Sequence, residues 1–346
     1  MAQLIILGNG FDLQCGLQTS YKDFFEWLRQ DDKRANNNLW TVYFLSNPPE
    51  GTQWIDVEGS ILEAIKYNFN DSISRSPKWI YLAEKCIDSR YIYEPPTNLR
   101  GVLMYIINET NNNNGVSAHL NNYWFLNELI AFEHQYSDYL NHILLSGNTK
   151  YLINVGKLMK MITEGNKVDI LNFNYTNPFN YYYQPITTGI SLDDMIEVES
   201  VNNVHGTFNK KNTIFGIDNT AEVPLEAQIF TKTHRKILQD NSNSTLPLNI
   251  RTIKCYGHSL GKADYSYFQS IFDNYNLYES SLTLQFYFTI YDKNNETNII
   301  RNATERIYKL ITEYGKTLDN KDKGKNLLHK LLLEGRVQIK FLANIN

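Results

Sequence analysis

The spacing of hydrophobic and polar positions changes rhythm twice along this chain. The first run, Leu4-Ile5-Ile6-Leu7, is uninterrupted and closes on Gly8-Asn9-Gly10. A short apolar run ended by glycine predicts a strand buried on both faces, as in the middle of a parallel sheet. A glycine turn after such a strand lets backbone N–H groups approach a phosphate, helped by the N-terminus of the following helix. The spacing then turns helical to about residue 150. Phe24-Phe25-Glu26-Trp27-Leu28 predicts a helix capped by Thr19 or Ser20. A second places Ile61, Leu62 and Ile65 on one face with Asp56 as cap, and a third runs from Tyr123 to Leu145. Asn111-Asn112-Asn113-Asn114-Gly115 reads as a polar loop. Beyond residue 150 strands alternate with helical stretches, the pattern of a parallel sheet. Strands are expected after Val168, at Ser200 to Val204, Thr213 to Asp218, Thr252 to Tyr256, Leu282 to Tyr291 and Val337 to Leu342. Helices are expected to end near Glu164 and to span about 298 to 315. The fold class is therefore α/β: a Rossmann-like parallel sheet from residues 1–24 and 151–346, with a mostly helical insertion, 25–150, over the crevice.

Composition narrows the function classes. Thirty-three Lys and Arg against 37 Asp and Glu leave a net charge of −4 over 346 residues, so no global field recruits nucleic acid. Cys15, Cys86 and Cys255 lack CxxC or Cys/His spacing, which argues against a disulfide framework or structural zinc. No apolar run reaches the roughly 18–20 residues of a membrane span, and no signal peptide is evident. The expectation is a cytoplasmic chain, without a membrane partner or a metal, free to form a homo-oligomer.

Polar residues follow the strand ends: Asn9 and Asp12, Asn174 to Thr176, His205, then Ser259 and Asp264. In open parallel sheets ligands bind outside the carboxyl ends of the strands, so one crevice could collect them all. Glu58 and Glu133 fall on the apolar stripes of their helices. Two readings stand: carboxylates paired with Arg or Lys, or acid, base or ribose ligands facing a polar crevice. Gly257-His258-Ser259-Leu260-Gly261 matches the nucleophile elbow of serine hydrolases, G-x-S-x-G, with Asp292 and His329 in triad order and His205-Gly206 as an oxyanion loop. Against this, His329 lies in an amphipathic helix, and Gly8-Asn9-Gly10 and Asn174 are left without a role.

Taken together, Gly8-Asn9-Gly10-Phe11-Asp12, the loop Gly16 to Tyr21, Asn172-Phe173-Asn174-Tyr175-Thr176, His205-Gly206 and Gly257-His258-Ser259 with Asp264 resemble the sirtuin-like superfamily. The resemblance to the phage abortive-infection family AbiH is closer and spans nearly the whole chain. It implies an antiphage effector that acts on NAD and answers a phage trigger. Carried over, Gly8, Asn9 and Gly10 would cradle the pyrophosphate, with Phe11, Asp12, Ser20 and Tyr21 beside it. Asn174 would sit at the nicotinamide ribose with Tyr175 and Thr176. His205 would be the general base, and Gly257, Ser259 and Asp264 would hold the adenosine side. Thr176 stands where sirtuins carry Asp, and the cysteine pairs of the deacetylases' zinc module are missing, which argues against deacetylation. Two alternatives remain open: nucleotide binding without hydrolysis, and serine hydrolysis by Ser259. NAD cleavage is chemically reasonable, because the leaving group is already cationic. The protein need only stabilise an oxocarbenium-like transition state and hold a water near a base, a task suited to histidine.

Overall fold

The computed structural model describes residues 2–35, 38–46, 57–62, 117–179, 196–218, 223, 225–239 and 246–345. The expected loop at 111–115 and the Asp56 cap lie outside the described residues. Six strands form one all-parallel open sheet: β1 Gln3–Leu7, β2 Val168–Asn172, β3 Val198–Asn203, β4 Thr252–Tyr256, β5 Thr283–Thr289 and β6 Val337–Leu342. Their order is β3-β2-β1-β4-β5-β6. The chain thus builds outward from β1 in one direction, then returns and builds outward in the other. Leu7 is aligned with both Asn172 and Tyr256, so the ends of β1, β2 and β4 lie level.

The continuous apolar run of β1 has its cause in this position. Every residue of the strand is buried, with a neighbouring strand on either side, so no polar alternation survives. On one face of the sheet Leu4, Ile6, Ile253, Leu284 and Phe286 share a core with Phe268 and Phe272 of the helix Tyr265–Asn274. Ile307 and Leu310 of the helix Glu296–Thr317 and Leu327 of the helix Lys321–Leu333 complete it.

The chain divides into two compact units. One comprises residues 1–18, 143–207 and 242–346 and holds the sheet; the other comprises 19–142 and 208–241. The expected helices ending at Leu145 and near Glu164 are a single helix, Ser117–Thr163. Ser146-Gly147-Asn148 reads as a break but is carried within it. At its C-terminus Lys254, a buried lysine of β4, donates from Nζ to the Ile162 carbonyl at 2.6 Å. A cation there satisfies a carbonyl left without an intrahelical donor.

The expected strand Thr213–Asp218 is a correction. The segment forms no strand and makes one isolated bridge, Ile217 to Thr231. Its backbone is held by side chains instead: Phe215 N–H donates to Glu133 Oε1 at 2.6 Å, and Phe215 O accepts from Arg235 Nη1 at 3.1 Å. Backbone groups engaged in this way have nothing to offer a ladder.

Candidate functional site

The turn after β1 and the turn after β4 are pressed together. Gly8 N–H donates to Tyr256 O at 3.0 Å, Gly10 N–H to Gly257 O at 2.8 Å, and Phe11 N–H to Gly8 O at 2.9 Å. A Cβ at Gly8 would lie 2.5 Å from the Cα of His258, and one at Gly10 would lie 2.9 Å from that of Gly257. Gly257 itself has φ +69°, a conformation that favours glycine. These glycines therefore permit two backbones to touch, and the N–H groups of Gly8 and Gly10 are engaged within the protein. Phe11 is buried, with its ring 6.3 Å from both Phe179 and Tyr256. Asn9 occupies the cap position of the five-residue helix Gly10–Gln14.

Asp12 lies behind this turn, 1% exposed. Tyr151 donates to its Oδ1 at 2.7 Å and Thr176 to its Oδ2 at 2.6 Å. Burial raises its pKa from 3.8 to about 6, although the two hydroxyl donors pull it back. An aspartate at 176 would set a second carboxylate against Asp12; threonine instead supplies a donor.

The turn after β2 is built by asparagines. Asn172 accepts from Asn174 N–H at 3.1 Å and donates to Thr176 O at 2.7 Å. Asn203, at the end of β3, donates to both Asn174 O and Thr176 O at 3.0 Å. This lattice fixes the loop and buries the Asn174 side chain to 5% exposure, yet Asn174 Oδ1 has no hydrogen-bond partner. A buried carbonyl oxygen left in this state is costly, and such an acceptor suits a ligand's donor.

Beside it, His205 follows β3 and is buried. Its Nε2 lies 3.1 Å from Asp264 Oδ1. A carboxylate oxygen accepts, so Nε2 is the donor in this pair. Asp264 Oδ2 meets a second imidazole, with His258 Nε2 at 3.4 Å. Phe173 stands edge-on to both rings, 5.3 Å from His205 and 4.7 Å from His258, and Tyr175 lies 6.4 Å from His205. Thus Tyr175, His205 and Asp264 are brought together in the sheet unit, on the carboxyl side of β2, β3 and β4, with Asn174 in the same turn as Tyr175. Among the described residues no group of three or more His, Cys, Asp or Glu could hold a metal ion.

Ser20 and Tyr21 belong to the other unit. Ser20 caps the helix Tyr21–Arg29, accepting from Asp23 N–H at 3.1 Å, while Tyr21 stands edge-on to Phe215 at 5.6 Å. In the same unit both stripe carboxylates meet one short helix, Lys232–Ile237: Glu58 pairs with Lys232 at 2.9 Å, and Glu133 is gripped bidentately by Arg235. The ion-pair reading of these two residues therefore holds.

Over residues 4–286 the chain matches the family described as Bacteriophage abortive infection AbiH. The chain belongs to the AbiH family. An antiphage abortive-infection role follows from that membership. Searches of curated proteins and of solved structures found no match. No helix among the described residues is long and apolar enough to cross a membrane.

The hydrolase constellation of this AbiH chain is not assembled. Ser259 Oγ accepts from Gly261 N–H at 3.3 Å, Asp292 caps a turn by accepting from Asn294 N–H at 2.9 Å, and His329 lies exposed on its helix. The left-handed backbone falls at Gly257 and Leu260 rather than at Ser259. Sequence reasoning passed over four contributors. Asn172 and Asn203 signal themselves only as polar residues closing otherwise ordinary strands, and Arg235 only as a counter-ion some hundred residues from Glu133. His258 stands at the variable position of G-x-S-x-G, where nothing in the motif singles it out.

Proposed function

We propose that this AbiH protein hydrolyses the nicotinamide–ribose bond of NAD, depleting the infected cell. The observation that carries the reading is the His205–Asp264 pair, with a buried, unpartnered Asn174 Oδ1 in the turn whose Phe173 and Tyr175 rings neighbour His205. The strand order β3-β2-β1-β4-β5-β6 supports it, being that of doubly wound dinucleotide-binding sheets, with the reversal at β1 next to these residues. Gly8 and Gly10 do not support a phosphate-binding turn, because their N–H groups are already donated to Tyr256 and Gly257. No pyrophosphate cradle is assigned to that turn.

In this reading Asn174 Oδ1 accepts from a ribose hydroxyl, and Asp264 holds His205 as the base for the attacking water. The C1′–N bond breaks with its electron pair leaving on nicotinamide, which neutralises the pyridinium. Water oxygen bonds to C1′, and its proton passes to His205. Removing a positioned general base costs about 10²- to 10⁴-fold. His205→Ala is expected to reduce nicotinamide release by that factor, and Asn174→Ala to weaken it as well. Absence of release from the wild type, both with purified protein and in phage-infected cells, overturns the reading. So does undiminished release from His205→Ala.

One observation favours a second reading, nucleotide binding without cleavage. The Asp12 carboxylate, expected beside the pyrophosphate, is bonded to Tyr151 and Thr176 instead, and Thr176 supplies no carboxylate to polarise the ribose. Calorimetric binding of NAD with no nicotinamide produced would establish it.

A further inference from the structure

We propose that His258 is a positioning residue of this site, orienting Asp264 and, through it, His205. Asp264 occupies the N-cap position of the helix Tyr265–Asn274, where an aspartate ordinarily accepts from the first turn's N–H groups. Here its side chain makes no capping bond. The carboxylate turns instead to two imidazoles, one on each oxygen: His205 Nε2 at 3.1 Å and His258 Nε2 at 3.4 Å.

The state of His258 is set from behind. Its Nδ1 accepts from Leu260 N–H at 2.9 Å, so in the neutral ring the proton is on Nε2, the nitrogen 3.4 Å from Asp264 Oδ2. Leu260 makes that bond from a left-handed backbone conformation, φ +54°, which is unfavourable for a leucine. The ring is also wedged between Phe173, 4.7 Å away, and Phe268, 5.1 Å away, both edge-on. His258 is therefore fixed in rotamer and tautomer. Each carboxylate oxygen faces the Nε2 of a different imidazole, which restricts the Asp264 plane and with it the His205 nitrogen that donates to it. The catalytic consequence rests on His205 being the base; the positioning itself does not.

Full-length protein with ¹⁵N-labelled histidine, examined by long-range ¹H–¹⁵N correlation where the rings are neutral, reads the tautomers without substrate. The wild type is expected to show His205 and His258 each as a single Nε2–H species. His258→Phe keeps an aromatic ring against Phe173 without an N–H and is expected to give His205 a mixture of tautomers. His258→Gln reaches Asp264 with its side-chain amide and should retain the single tautomer; the shorter His258→Asn should lose it. In nicotinamide release, kcat is expected to fall roughly 10- to 100-fold in the Phe and Asn variants, the range for groups that orient a functional imidazole, with KM little changed and Gln restoring the rate. A single, unchanged His205 tautomer in the Phe variant, or identical spectra for Gln and Asn, overturns the proposal. The expected tautomer pattern without NAD cleavage by the wild type upholds the positioning role and overturns the NAD reading alone.

Discussion

Asp12 in the sheet unit and Glu133 in the other unit are equally buried, each 1% exposed, and are held in opposite ways. Glu133 has a full counter-charge. Arg235 forks onto both its oxygens, and Phe215 N–H adds a third donor. Asp12 has only neutral hydroxyls, from Tyr151 and Thr176. Burial pushes both pKa values up, and in Glu133 the guanidinium is the main force pulling back. Asp12, with no cation among the groups opposing its burial, rises to about 6, within reach of physiological pH. The first arrangement is a structural clamp, locking a helix, Lys232–Ile237, to the long helix that carries Glu133. The second leaves a titratable group directly behind the turn between β1 and its short helix. Charge compensation, rather than depth of burial, separates a strut from a group whose protonation can change.

The clamp gives the largest expected effect. Arg235→Ala leaves Glu133 buried without its cation, and breaking a buried pair on one side costs about 3–5 kcal/mol. Unfolding in denaturant should show that loss. The double variant Glu133→Leu with Arg235→Met should recover much of it, because neither side then carries an uncompensated charge. If Arg235→Ala proves as stable as the wild type, the clamp interpretation is wrong.

The same contrast explains which parts were legible in the sequence. β1 was readable because a strand flanked on both sides can only be apolar, and the glycines after it mark a close approach. What approaches is not written locally: at Gly8 and Gly10 it is the backbone of Gly257-His258. Thr213–Asp218 has strand-like composition, but Glu133 and Arg235 claim the backbone of Phe215 from distant positions. The break expected after Leu145 failed because a lone glycine flanked by Ser and Asn is only a mild penalty inside a helix with long apolar faces. At the site, polar residues after strand ends were visible because all six parallel strands present their carboxyl ends to one side. The two-sided hold on Asp264 was not, since a cap-position aspartate looks the same whether it caps its helix or faces two histidines.

Asp12 supplies the next largest effect, and its sign is definite. A carboxyl group whose folded pKa lies near 6 and whose unfolded value is 3.8 binds its proton more tightly in the folded state. Its contribution favours the fold most below the unfolded pKa and is lost as pH rises through about 6. From the two values this is on the order of 3 kcal/mol between pH 4 and pH 7. Asp12→Asn should remove that component, so the difference between variant and wild-type unfolding free energies should change with pH between these limits. A difference that stays constant across the range would show that Asp12 keeps an ordinary pKa.

Thr176→Val sharpens the contrast with the smallest change. The hydroxyl donates to Asp12 Oδ2 at 2.6 Å, and valine fills nearly the same space without a donor. Above pH 6, where Asp12 is ionised, the loss is that of a hydrogen bond to a charged group, about 1.5–3 kcal/mol. At pH 4, where the carboxyl is neutral in the folded chain, the loss should fall toward the roughly 0.5–1.5 kcal/mol of a neutral bond. Removing a donor that favours the anion also moves the Asp12 transition above its wild-type position near 6. Arg235 offers the control: a conservative change there should show no comparable pH dependence over this interval, because a guanidinium stays charged throughout. Equal losses for Thr176→Val at pH 4 and pH 8 would mean that the hydroxyl shapes the loop without stabilising a charge on Asp12.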